Sequence, residues 1–124
     1  MSKSKKRKVI TVTIRTTESV IRKVLASARQ MQKGLLVDSQ TELAFNDAAT
    51  MLSILTTKRL ELLTFLRGFG PSTIKELSRQ LGRNYSNIHG DVQLLLRLGL
   101  LDKTDDELIY VPFDELNICL PLAA

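Results

Sequence analysis

The period of the apolar positions changes repeatedly along this chain, and each change predicts an element. Ile10, Val12 and Ile14 alternate with Thr11, Thr13 and Arg15, the period of a strand with one buried face. From Thr16 or Thr17, either of which can cap, the spacing turns helical. Val20, Ile21, Val24, Leu25, Ala28 and Met31 make one stripe, and Gly34 stops it. Residues 35–37 and 41–45 then read as extended chain. Asn46 is placed to cap a helix running through Leu55, and Thr56 or Thr57 to cap the next, over 58–67.

The second half is punctuated more sharply. Gly70 and Pro71 break the preceding helix, and Ser72 can cap a new one whose stripe is Ile74, Leu77 and Leu81. Gly82 ends that helix, where a left-handed residue is wanted. Asn84 caps a further helix with Ile88, Val92, Leu95 and Leu98 on its apolar side, and Gly99 closes it. Leu100 and Leu101, then residues 108–111, bracket the acidic turn 104–107 as a hairpin would. Helix, glycine turn, helix and hairpin is the order of a winged helix-turn-helix, which offers one exposed helix to the DNA major groove. Two helices about a glycine also describe a plain helical hairpin, which has no need of the strands that follow.

The expected architecture is therefore mainly α with a small β component, an α+β chain in three parts. Residues 1–8 form a disordered basic tail, 9–45 an N-terminal strand–helix–strand module, and 46–124 a winged helix-turn-helix domain. The run 116–120 alternates as well and can pair with the first strand. Such a module either builds a dimer interface, so that two reading helices meet a palindrome, or completes the monomer's own core.

Between the core positions of the helix after Asn84 lie Tyr85, Ser86, Asn87, His89, Gly90 and Gln93, a polar face without charge. Asn87 and Gln93 are each able to pair bidentately with adenine, and Arg83 with guanine or phosphate. Ser72, Thr73 and Ser86, near helix starts, suit phosphate oxygens, and Lys75 and the cap Asn84 are counted with them as DNA-binding residues. Tyr85 suits a phosphate or a thymine methyl, or packing on Leu81; His89 projects from the same face. The plain alternative for each is a solvated polar residue. Gly90 is out of place in a helix, and either close approach of DNA or a tight helix contact accounts for it. The turn acids Asp105, Asp106 and Glu107 repel phosphate, which leaves Lys103 as the hairpin's one contact.

The residues Leu55-Thr56-Thr57-Lys58-Arg59, Gly70-Pro71, Leu77, Leu81-Gly82-Arg83, Asn87, His89, Asp91-Val92, Leu98-Gly99-Leu100 and Val111-Pro112-Phe113-Asp114-Glu115 carry a resemblance. Over roughly residues 45–124 the chain resembles small prokaryotic winged helix-turn-helix transcriptional regulators of the MarR-like fold. Some of these resemble antitoxins encoded beside a toxin. What the resemblance implies is sequence-specific binding of double-stranded DNA as a homodimer, as a repressor on an operator. The alternative it carries is an antitoxin that neutralises a partner protein, with or without DNA binding of its own.

Charge sharpens this picture. The net charge is +5, and Lys3, Lys5, Lys6, Arg7 and Lys8 account for the whole excess. That tail suits non-specific phosphate contact, nuclear import or solubility. Lys58, Arg59, Arg67, Lys75, Arg79, Arg83 and Arg97 outnumber Glu61, Glu76 and Asp91, whereas the chain after Leu98 is acidic. A basic face for phosphate beside an acidic one is the expected distribution.

Inventory argues against an enzyme. One histidine and one cysteine do not make a four-ligand zinc site. Neither GxGxxG nor a GxxxxGK followed by Ser or Thr occurs, and the acids 105–107 lack calcium-loop spacing. Cys119 sits in an apolar alternation and is expected to be buried; a single cysteine forms no internal disulfide and fits a cytoplasmic protein. No apolar run approaches the ~18 residues that span a membrane, so no membrane partner is expected. No cofactor or metal is expected either.

Overall fold

The computed structural model describes residues 7–15 and 41–122. Most of the basic tail, the helix expected after Thr16 and the extended stretch 35–37 lie outside the described residues. Those residues form an α+β chain that divides into two units. Leu55–Asp114 is one, and the chain before Leu55 together with Glu115 onward is the other. The two units meet at 54/55 and at 114/115. The reason is packing that period alone does not reveal, because the next helix and the last strand find their partners among the first strands.

In the discontinuous unit, β1 (Val9–Ile14) is the β-branched run VITVTI. It lies between β2 (Thr41–Phe45) and β5 (Glu115–Ile118), parallel to both. Ile10, Val12 and Thr13 are buried, as expected of a central parallel strand covered on both faces. Helix α1 (Ala48–Ile54) packs against β1 and β2 and buries Met51. Its start is set by Asp47, whose Oδ1 accepts the Thr50 N–H at 2.7 Å, one residue later than the cap expected at Asn46. That bond holds the Asp47 carboxyl below its ordinary value.

The continuous unit begins with α2 (Thr57–Phe69), capped by Thr56, whose Oγ1 accepts the Arg59 N–H at 3.3 Å. Its buried face is Leu62, Leu63 and Leu66. Helix α3 (Ile74–Leu81) packs on α4 (Tyr85–Leu98), and Gly82 and Gly99 close them in the left-handed region. The cap of α3 is Thr73 rather than Ser72: Thr73 Oγ1 accepts the Glu76 N–H at 3.1 Å. Ser72 is buried, and its backbone is engaged as a strand. Its N–H donates to Ile109 O at 3.0 Å, and the Ile109 N–H returns to Ser72 O at 2.7 Å.

Strands β3 (Asp102–Lys103) and β4 (Ile109–Tyr110) form an antiparallel hairpin, so Ser72 adds a third, one-residue rung beside β4. The hairpin turn is held from within. Thr104 Oγ1 accepts the Leu108 N–H at 3.0 Å, and Glu107 takes a positive φ of 66°. Leu77, Ile88, Val92, Leu95, Leu100, Leu101 and Ile109 are buried in this unit. Each side chain of that size contributes about 1.5–3 kcal/mol by leaving water.

Candidate nucleic-acid interface

Helix α4 has two unlike sides. Ile88, Asp91, Val92 and Leu95 are buried, while Tyr85, Ser86, Asn87, His89, Gly90, Gln93 and Arg97 are exposed. Ser86, Gly90, Gln93 and Arg97 follow the four–three–four spacing of one helix face. Gly90 lies in the middle of that stripe. A Cβ added there meets nothing within 4 Å among the described residues, so no contact with them requires a glycine. Of the two accounts of Gly90 drawn from the sequence, a tight contact with another described helix is removed. Asn87 stands at the flank of the stripe, and the Tyr85 and His89 rings stack with centroids 6.1 Å apart.

The start of α4 is occupied by its own cap. Asn84 Oδ1 accepts from both the Ser86 N–H and the Ser86 hydroxyl, each at 2.8 Å. Asn84 and Ser86 therefore satisfy each other. Near α3, Thr73 and Lys75 are exposed, whereas Ser72 is buried with its hydroxyl donating to Thr73 O at 3.2 Å. Burial removes Ser72 from direct contact with a large ligand.

Arg83 stands in a different setting from an exposed reader. Its Nη2 donates to Asp91 Oδ2 at 2.8 Å, and Arg59 Nε donates to Asp91 Oδ1 at 3.0 Å. The three side chains are 18%, 13% and 22% exposed for Arg83, Asp91 and Arg59. A carboxylate on the buried side of α4 thus ties that helix to α2 and to the α3–α4 turn. Period gives no hint of it: Asp91 reads as an interruption of the apolar stripe, and only a charged residue at a core position signals that a partner exists.

The local excess of base is reduced by such pairing. Arg67 pairs with Asp114, and Arg79 with Glu76. Glu76 also accepts from the Gln80 amide at 2.8 Å, which with Arg79 holds its carboxyl below the ordinary value. Lys58, Lys75, Arg97 and Lys103 are left without an acidic partner among the described residues. Asp102, Asp105, Asp106 and Glu107 on the hairpin are exposed. Cys119 is exposed too, against the burial expected of it, because it follows directly on β5, a strand at the sheet's edge.

No described helix is long and apolar enough to cross a membrane. No curated protein and no solved structure matches the chain. A family model described as HVO_A0114 matches residues 54–118, just over half of the 124. The match takes in the whole of Leu55–Asp114 and runs on through β5. The chain belongs to the HVO_A0114 family.

Proposed function

We propose that Leu55–Asp114 is a winged helix-turn-helix unit that binds double-stranded DNA by sequence, as a homodimeric transcriptional repressor of MarR-like kind. Helix α4 reads the major groove, with β3 and β4 as the wing. The observation that carries this reading is the exposed stripe Ser86–Gly90–Gln93–Arg97 with Asn87 at its flank. It is polar, nearly free of charge, and bare at its centre although no contact among the described residues needs it to be. Gln93 and Asn87 present amides of the kind that pair with adenine edges, and Gly90 lets the helix backbone come close to the groove. Lys75, Arg97 and Lys58 supply phosphate contacts, and the opposite side of the helix is fixed by Asp91 and its two arginines.

The test is fluorescence anisotropy of the full chain on duplex DNA from upstream of its own gene and on a scrambled duplex, at about 150 mM salt. A preference of about a thousandfold or more is expected of a specific regulator. Equal, weak binding to both duplexes removes the reading.

One observation favours a second reading. The hairpin exposes Asp102, Asp105, Asp106 and Glu107 where a DNA-contacting wing is ordinarily basic. An acidic surface of this kind suits a basic partner protein, as an antitoxin requires. Co-purification of the chain with the product of an adjacent gene, lost on neutralising 105–107, is the result that reading expects.

A further inference from the structure

The sheet of the discontinuous unit has two edges, and they are treated differently. At the β2 edge Glu42 pairs with Arg15, which places charge where another strand would attach. The β5 edge carries no charge from Leu116 to Leu122. The register also shows which face each residue shares. Ile10 lies beside Leu116 and Val12 beside Ile118, while on the other side Val12 lies beside Leu43 and Ile14 beside Phe45. One apolar face therefore runs across all three strands. It is fully covered at Val12, but Ile118 is 47% exposed and Leu120, two residues further on, 42%.

The backbone points the same way. The Glu115 and Cys119 N–H groups donate to Lys8 O and Val12 O, at 3.4 and 2.8 Å. Alternation then turns the peptide groups of Leu116, Ile118 and Leu120 toward the edge that no other described strand occupies. An edge strand uncharged beyond Glu115, with an exposed apolar face and outward peptide groups, is a template for another strand.

We propose that a second copy of this chain fills that edge. The two β5 strands pair antiparallel about a two-fold axis through Ile118, giving a six-stranded sheet across the dimer. A second copy fits because the pairing is self-complementary. Ile118 meets Ile118 and Leu116 meets Leu120 on the continued apolar face, and no charged side chain between Leu116 and Leu120 opposes its like. The inference names the interface of the dimer in the reading above, but it rests on the discontinuous unit and needs no DNA.

The register is directly testable. It sets Asn117 opposite Cys119 of the second copy as a non-hydrogen-bonded pair, with Cα atoms about 4.5 Å apart, inside the range that a disulfide bridges. Under a mild oxidant, Asn117→Cys is expected to give a covalent dimer at least tenfold faster than the native chain. Light scattering of the native chain at micromolar concentration is expected to return twice the chain mass. Ile118→Lys places two like charges on the axis, and is expected to return a monomer with an unchanged circular dichroism spectrum. A monomeric native chain, a dimer that survives Ile118→Lys, or Asn117→Cys that cross-links no faster than the native chain overturns the proposal. Each of these outcomes leaves DNA binding by α4 to be decided separately, by the anisotropy measurement.

Discussion

Arg83 is bonded to Asp91 at 2.8 Å, one helical turn beyond Asn87 on α4. The same carboxylate holds Arg59, so removing its charge leaves two mostly buried arginines facing each other. Asp91→Asn is expected to destabilise the chain by about 2–4 kcal/mol, near the range for breaking a buried pair. Urea unfolding followed by circular dichroism measures it, and a change below about 0.5 kcal/mol would show that solvent already screens the cluster.

The pairing also separates two kinds of basic residue. Lys75 is exposed and has no acidic partner among the described residues, whereas Arg83 is committed to Asp91. Lys75→Ala is expected to lower affinity for all duplexes alike and to reduce the salt slope by about one per protomer. Arg83→Ala is expected to lower stability first. Titration across salt concentrations distinguishes them, and an unchanged slope for Lys75→Ala removes it as a phosphate contact.

Gly90 gives a prediction of opposite signs. Alanine there meets open space and is a better helix former, so Gly90→Ala is expected to stabilise the chain by about 1 kcal/mol. The added methyl stands at the centre of the exposed stripe of α4, and if that stripe reads DNA, affinity for the preferred duplex is expected to fall roughly tenfold or more, about 1.4 kcal/mol. A variant both more stable and equally tight would show that DNA does not approach this face.

How much of this was legible in the sequence depends on whether the controlling interaction is local. Gly82 and Gly99 closed their helices where the pattern put them, since a left-handed cap is dictated by neighbouring residues. Caps slipped by one residue, from Ser72 to Thr73 and from Asn46 to Asp47, because adjacent residues are all capable and geometry chooses. Long-range facts were less readable. The alternation of 116–120 suggested that it pairs with β1, but neither the parallel direction nor the inclusion of α1 in that unit has a local signature. In the candidate site, the exposed residues of α4 follow from helical period. The burial of Ser72 and the engagement of Arg83 follow from partners at Ile109 and Asp91, 37 and 8 residues away in sequence.

Acid is expected to weaken the fold through two carboxylates, the Asp47 cap and Glu76 in the first turn of α3. Glu76 is lowered from 4.5, chiefly by the Gln80 amide and then by Arg79. Asp47 is lowered from 3.8 by the Thr50 N–H and hydroxyl. A carboxyl whose folded value lies below its unfolded one stabilises fully above the unfolded value, and that contribution is lost as pH falls through the folded one. The denaturation midpoint is expected to drop below about pH 4, and less steeply in Glu76→Gln and Asp47→Asn. Identical acid profiles for these variants and the native chain would remove both groups from the account.

The most direct test of the central claim is enrichment of binding sites from a random duplex library, with the native chain and with Asn87→Ala in parallel. The account predicts a palindromic motif whose half-sites repeat at about 34–36 Å, one DNA turn. It predicts that Asn87→Ala loses information at one base pair in each half-site, corresponding to about 1–3 kcal/mol. Failure to enrich any motif, or an identical motif from both proteins, contradicts the assignment of α4 as the reading helix.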